Sequence, residues 1–214
     1  MYMPPQFNVT DRAVAARLMR DHPFATLISN DDQGLPYVTH LPLVLEERGP
    51  DDFVLWGHCA KPNAQWRYLQ ARPRALVSFL GPHAYLSPSV YPDLARVPTW
   101  NYLAVHCTVE ARLIEESADK DALLKKLIGD HEPAYAQQSR DLGQDFQHKM
   151  LNGIVGFELT VSALQCKVKL NQHRRESHAA MHAVYSAGTP DEQALAVWMG
   201  RLGMTADAPV AQER

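Results

Sequence analysis

Cysteine is scarce in this chain: three in 214 residues, at positions 59, 107 and 166. Their odd number and wide separation exclude a disulfide framework and point to a reducing compartment. Their spacing fits no zinc-binding pattern either. No apolar run approaches the roughly 20 residues that a membrane span requires. The start, Met1-Tyr-Met-Pro-Pro-Gln-Phe7, lacks the basic region and apolar stretch of a secretory signal, so a cytoplasmic location is expected. A basic excess is missing too. The formal net charge is −3, whereas a DNA-binding domain usually carries positive charge to neutralise phosphates. Cations bunch only at Arg72–Arg74, at Lys125–Lys126 and between Lys167 and Arg175. The nucleophile elbow, the phosphate loop and the dinucleotide fingerprint are all absent. His178 and His182 stand four apart, a spacing that puts two ligands on one helix face. No Glu follows His178 and no third ligand accompanies the pair, so no metal is expected.

What the chain does have is a core. A hydrophobic fraction of 46% supports one sizeable domain with an appendage, or two small ones. Apolar spacing predicts a helix from Asn8 to Asp21, ended by His22-Pro23. Strands follow at Phe24–Ser29, Pro36–Glu46 and Phe53–His58, joined by turn signals: a meander of antiparallel hairpins. A short helix through Leu69, a strand at Ala75–Leu80 and a long proline-rich loop from Gly81 to Pro98 come next. Asn101–Glu116 alternates as a long strand, and Ser117 is placed to cap a helix. His131–Gly143 reads as irregular, Asp145–Leu151 as a helix, and Ile154–Leu170 as the last strands. From Gln172 the pattern turns helical, with a strong start at Thr189-Pro-Asp-Glu192 and a stop at Gly203. Residues beyond Thr205 are expected to be disordered. About six antiparallel strands with short helices at the turns describe a small barrel, mainly β in an α+β chain. The expected division is 1–171 for the barrel and 172–214 for a helical extension.

Four segments carry polar groups where strands run into turns, the usual place for small-molecule sites. They are Thr39-His-Leu-Pro42, Gly57-His-Cys-Ala-Lys-Pro-Asn-Ala-Gln-Trp66, Gly81-Pro-His-Ala-Tyr-Leu-Ser-Pro88 and Val97-Pro-Thr-Trp-Asn-Tyr102. Together they offer what a flavin mononucleotide needs: a cation and N–H donors for phosphate, amide partners for the ring edge, aromatic surface for its face. Lys61 supplies charge beside a proline-started helix, Gly57 permits close backbone approach, and Asn63 can donate from its amide. A capped surface turn is the plainer alternative. His58 lies in the same segment.

These segments carry a resemblance. With His22-Pro-Phe-Ala-Thr-Leu-Ile-Ser29, Gly153-Ile-Val-Gly-Phe-Glu-Leu159 and Lys167-Val-Lys-Leu-Asn-Gln172, they make the chain resemble the PaiB-type proteins, FMN-binding negative transcriptional regulators. The matches run in order over nearly the whole length. Where that family usually carries Ser and then Asn-Arg, this chain has Asn171 and His173-Arg174. The resemblance implies an FMN-binding split β-barrel and a homodimer with flavin between subunits. It further implies that the Thr39, His40 and Leu41 strand runs along the isoalloxazine ring. His83, Ser87, Trp100 and Asn101 either close the pocket or line the dimer seam. Lys169, on one strand face with Lys167, either reaches a ligand from the other subunit or is simply solvated. Three functional readings follow: a flavin-binding regulator, a flavin-dependent oxidoreductase of unknown substrate, or a bare FMN carrier or apo structural dimer. DNA binding has weak support, with Arg174-Arg175 as the only candidate contact.

Overall fold

The computed structural model of the protein describes residues 1–93, 95–132, 134 and 143–205. The stretch expected to be irregular, His131–Gly143, lies largely outside these residues, and so does the chain beyond Thr205. Eight strands are present among the described residues: β1 Asn8–Val9, β2 Phe24–Asn30, β3 Pro36–Pro42, β4 Val44–Gly49, β5 Asp52–Ala60, β6 Arg74–Leu86, β7 Thr99–Ile114 and β8 Ile154–Lys169. Helices are α1 Arg12–Asp21, α2 Gln65–Ala71, α3 Ser117–His131, α4 Gln144–Asn152, α5 His178–Ser186 and α6 Pro190–Arg201. The hydrogen-bonded order is β3-β2-β6-β7-β8-β5-β4, with β1 paired to β8. This is the mainly antiparallel barrel that the alternation predicts, in the split form that the resemblance implies.

Its strand count differs from the expected six for two local reasons. The first is the two-residue β1, too short to show a period. The second is a break in Pro36–Glu46, which divides into β3 and β4 at Leu43. Pro42 has no N–H to give a ladder, and Leu43 N donates instead to Pro23 O at 2.9 Å. Two further corrections concern breakers and caps. The expected loop after Leu80 is strand as far as Leu86, running through Gly81-Pro82. Ser117 is the first residue of α3 and not its cap, a position held by Glu116 without a side-chain bond.

The chain gathers into two compact units, one of Arg12–Phe79 and Val105–Leu164, the other of Met1–Asp11, Leu80–Ala104 and Gln165–Arg214. In the first, β2 buries Ala25, Leu27 and Ser29, and β5 buries Phe53, Val54, Leu55 and Cys59. The helix α1 lays Ala15, Ala16, Leu18 and Met19 on this core. The strand path has β3 at one end, paired only with β2. Yet β3 comes close to β5: a Cβ on Gly57 would lie 3.3 Å from Leu41 Cδ1 and 3.1 Å from Phe157 Cε2, and would overlap Leu43 Cδ2. The Leu41 side chain of β3 thus packs against the backbone of β5 where no ladder joins the two strands.

In the second unit, β8 ends at Lys169, and Asn171 two residues on is the one described non-glycine residue with positive φ, 61°. Asparagine tolerates this left-handed conformation better than most residues. Its Nδ2 donates to Tyr91 Oη (3.0 Å) and Ser177 Oγ (2.9 Å), fixing the turn into α5. The helix α6 begins with the predicted capping box of Thr189 and Glu192.

All three thiols are free and buried. Burial pushes the Cys59 thiol up to about 11 and that of Cys166 up to about 12. A disulfide-exchange reagent at pH 8 should therefore titrate less than one thiol in minutes from the native protein, and all three after denaturation. Rapid native titration of Cys59 would contradict the packing around it.

Candidate functional site

Within the first unit, the sequence-predicted residues converge on the start of α2 and the face of β3. Antiparallel register sets Thr39 opposite Leu27 and His40 opposite Thr26. Alternation then sends Tyr37, Thr39 and the buried Leu41 to one face, Val38 and His40 to the other. Asn63 joins the first face: its Nδ2 donates to Thr39 Oγ1 at 3.2 Å, and its Oδ1 accepts from Tyr37 Oη at 3.2 Å and Gln65 N at 2.9 Å. So Thr39 and Asn63 are brought together, and Tyr37 is the partner that residue reading missed. Its place two residues before Thr39 on an alternating strand was the available signal.

The turn from β5 into α2 uses its own donors. Lys61 N donates to Gly153 O (2.8 Å), Asn63 N to Ala60 O (2.9 Å), and Trp66 N to the Cys59 sulfur. The Lys61 carbonyl accepts from Trp66 Nε1 at 2.9 Å. The expected row of free N–H groups is therefore largely engaged. What stands exposed is the Lys61 ammonium, which has no hydrogen-bond or ion-pair partner among the described residues. His58, opposite Gly156 across β5 and β8, has a buried Nδ1 without a partner among the described residues, and burial pulls its pKa down. It is a neutral imidazole at pH 7. Gly57 is buried, its missing side chain facing Leu43, Phe157 and Leu41. On the outer face of β3, His40 Nδ1 lies 3.1 Å from Thr26 Oγ1, and its ring is stacked with that of Phe24 at 6.4 Å.

In the second unit, strand alternation parts Trp100 from Asn101. Trp100 is 54% exposed, with His83 at 5.8 Å and Tyr85 at 6.5 Å between ring centroids. Asn101 is fully buried and donates from Nδ2 to Tyr185 Oη (3.0 Å) and Met181 Sδ (3.3 Å) of α5. Its partners lie some 80 residues away in the helical extension, beyond the reach of local patterning. Ser87 caps the short 3-10 turn Pro88–Val90, accepting from Ser89 N at 3.2 Å. Lys169 donates to Thr99 Oγ1 and to Trp100 O (2.6 Å). Burial, then the neighbouring Lys167, lowers its pKa. Lys167 is itself buried, over the Tyr102 ring at 5.1 Å with its Nζ donating to Tyr2 O. Neither lysine is simply solvated.

An antiparallel split barrel with an open edge strand beside an exposed cation defines the class of fold. Solved structures agree. The flavocytochrome Anf3 from Azotobacter vinelandii superposes with a TM-score of 0.59 at 16% identity, covering 79% of this chain and 73% of that one. An FAD- and heme-binding protein from Mycobacterium smegmatis gives 0.58 at 18% identity, covering 76% and 73%. At such identities the likeness is one of fold. The chain belongs to the family described as "Putative FMN-binding domain", whose model matches residues 1–163. It is 36% identical over 179 residues to the protease synthase and sporulation protein PAI 2 of Bacillus subtilis (strain 168), covering 83% of this chain and 84% of that protein. Among the described residues, no helix is long and apolar enough to cross a membrane.

Proposed function

We propose that the protein binds FMN as a PaiB-type regulator, with the phosphate at Lys61 and the pyrimidine edge of the ring along Thr39–Leu41. The observation that carries this is the exposed Lys61 ammonium, without a hydrogen-bond or ion-pair partner among the described residues, two residues before the Asn63 that bonds Thr39, in a chain of an FMN-binding family. The residues fit the group. A phosphate needs a cation, and an edge strand leaves alternate N–H and C=O groups open to the polar rim of a ring. His58 Nδ1, buried and without a partner, is a further polar atom in this segment. A bound flavin would supply redox chemistry; the chain supplies binding and orientation.

The protein acts as a cytoplasmic homodimer. The outer face of β2 and β3 supports this, since it exposes Phe24 at 68% and Val38 at 48%, more apolar surface than a lone strand pair normally leaves in water. His83, Ser87, Trp100, Asn101 and Lys169 belong to this reading as the surface and framework that a second subunit brings to the flavin. Asn101 and Lys169 act there by holding the Trp100 strand in place. DNA contact is through few cations and salt-sensitive. Purified protein should be yellow, dimeric by light scattering at micromolar concentration, and unbleached by NADH or NADPH. A colourless protein that fails to quench added FMN would overturn the binding. Bleaching by either nucleotide would favour an oxidoreductase instead.

A further inference from the structure

A second recess lies wholly within the unit that contains the helical extension. It is a groove of about 940 Å³, at the upper end of the size of small-molecule sites. Arg175, His178 and His182 line it from the 3-10 turn Arg175–Ser177 and from α5, at spacings that place them along one helical face. Its other lining includes Val9 of β1, Val168 of β8, and Leu202 and Met204 beyond α6. Among the described residues, none that lines the groove carries a carboxylate. Glu176, the nearest acid in sequence, lies 3.9 Å from Arg96.

We propose that this groove binds a small organic carboxylate with an apolar body. The groove pairs basic side chains with an apolar lining, which matches a ligand with one anionic end and one hydrophobic end. The Arg175 side chain has no hydrogen-bond or ion-pair partner among the described residues, and a guanidinium meets a carboxylate through two parallel hydrogen bonds. His178 Nε2 lies 3.1 Å from Asn171 O. A carbonyl only accepts, so Nε2 carries the proton and is engaged by the fold. His182 likewise has no hydrogen-bond or ion-pair partner among the described residues. One guanidinium, with its two parallel donors, suits a carboxylate monoanion better than a phosphate dianion. A single arginine in a partly apolar lining is also unlike the row of cations that a nucleic-acid backbone requires. The residues involved, Val9 apart, lie beyond the 1–163 stretch that the family model matches.

Calorimetric titration of the full-length protein with octanoate tests the proposal, with octanol, inorganic phosphate and a DNA duplex as comparison probes. Octanoate should bind once per chain, and octanol and phosphate much more weakly. Arg175→Ala should weaken octanoate by at least about tenfold, the weight of a charge-assisted contact, and His182→Gln should weaken it less. FMN affinity, measured on the same samples, should not move in either variant, which also shows that both are folded. Unchanged octanoate affinity in Arg175→Ala would overturn the proposal, as would octanol binding as tightly as octanoate. Displacement of octanoate by the duplex would assign the groove to nucleic acid instead.

Discussion

Replacing Lys61 with alanine should lower FMN affinity by about ten- to a hundred-fold and leave riboflavin affinity nearly unchanged. The two ligands differ only in the phosphate. A contact to that group is lost from one titration and was never present in the other. The backbone around Lys61 is held independently of its side chain: its N–H bonds Gly153 O and its carbonyl accepts from Trp66. The substitution should therefore leave the turn intact. Because the neighbouring N–H groups are already engaged, the side-chain charge must carry more of the phosphate contact than a helix start alone would demand. Quenching of flavin fluorescence in parallel titrations measures both constants. Equal losses for FMN and riboflavin would mean that Lys61 supports the fold and not the phosphate; no loss for either would move the site elsewhere.

Gly57→Val should destabilise the protein by roughly 1–3 kcal/mol, the usual cost of overpacking a filled core. A first carbon at this position already overlaps Leu43 Cδ2 and lies 3.1 Å from Phe157, and both of those side chains are buried with nowhere to retreat. Denaturant melts would show a lower midpoint at unchanged slope. FMN affinity per folded molecule should change less than stability. A variant of full stability that had lost only FMN would show that Gly57 serves the phosphate and not the core.

How much of this was legible beforehand depended on how local the cause was. The capping box at Thr189–Glu192 is written within four residues and was read correctly. The β2–β3 hairpin follows from alternation and one turn, so Thr39 and His40 were placed on their strand. The strand through Gly81-Pro82 was hidden, because glycine and proline normally break a ladder and only long-range pairing overrides them. The donors at the start of α2 looked free because what occupies them is remote: Gly153 lies 92 residues beyond Lys61. Trp100 and Asn101, read together as residues of the pocket or the dimer seam, part by simple alternation; the buried contact of Asn101 with Tyr185 spans 84 residues.

The open edge of β3 is bracketed by Pro36 and Pro42, one at each end of the strand. Neither has an N–H, so a foreign strand arriving at this edge would find a ladder only across residues 37–41. That is too short a template for chain-to-chain propagation of the kind that drives aggregation, and long enough for the rim of a small planar molecule. The same two imino acids that broke the strand pattern in the sequence thus keep a necessary gap in the barrel safe to carry in a crowded cell.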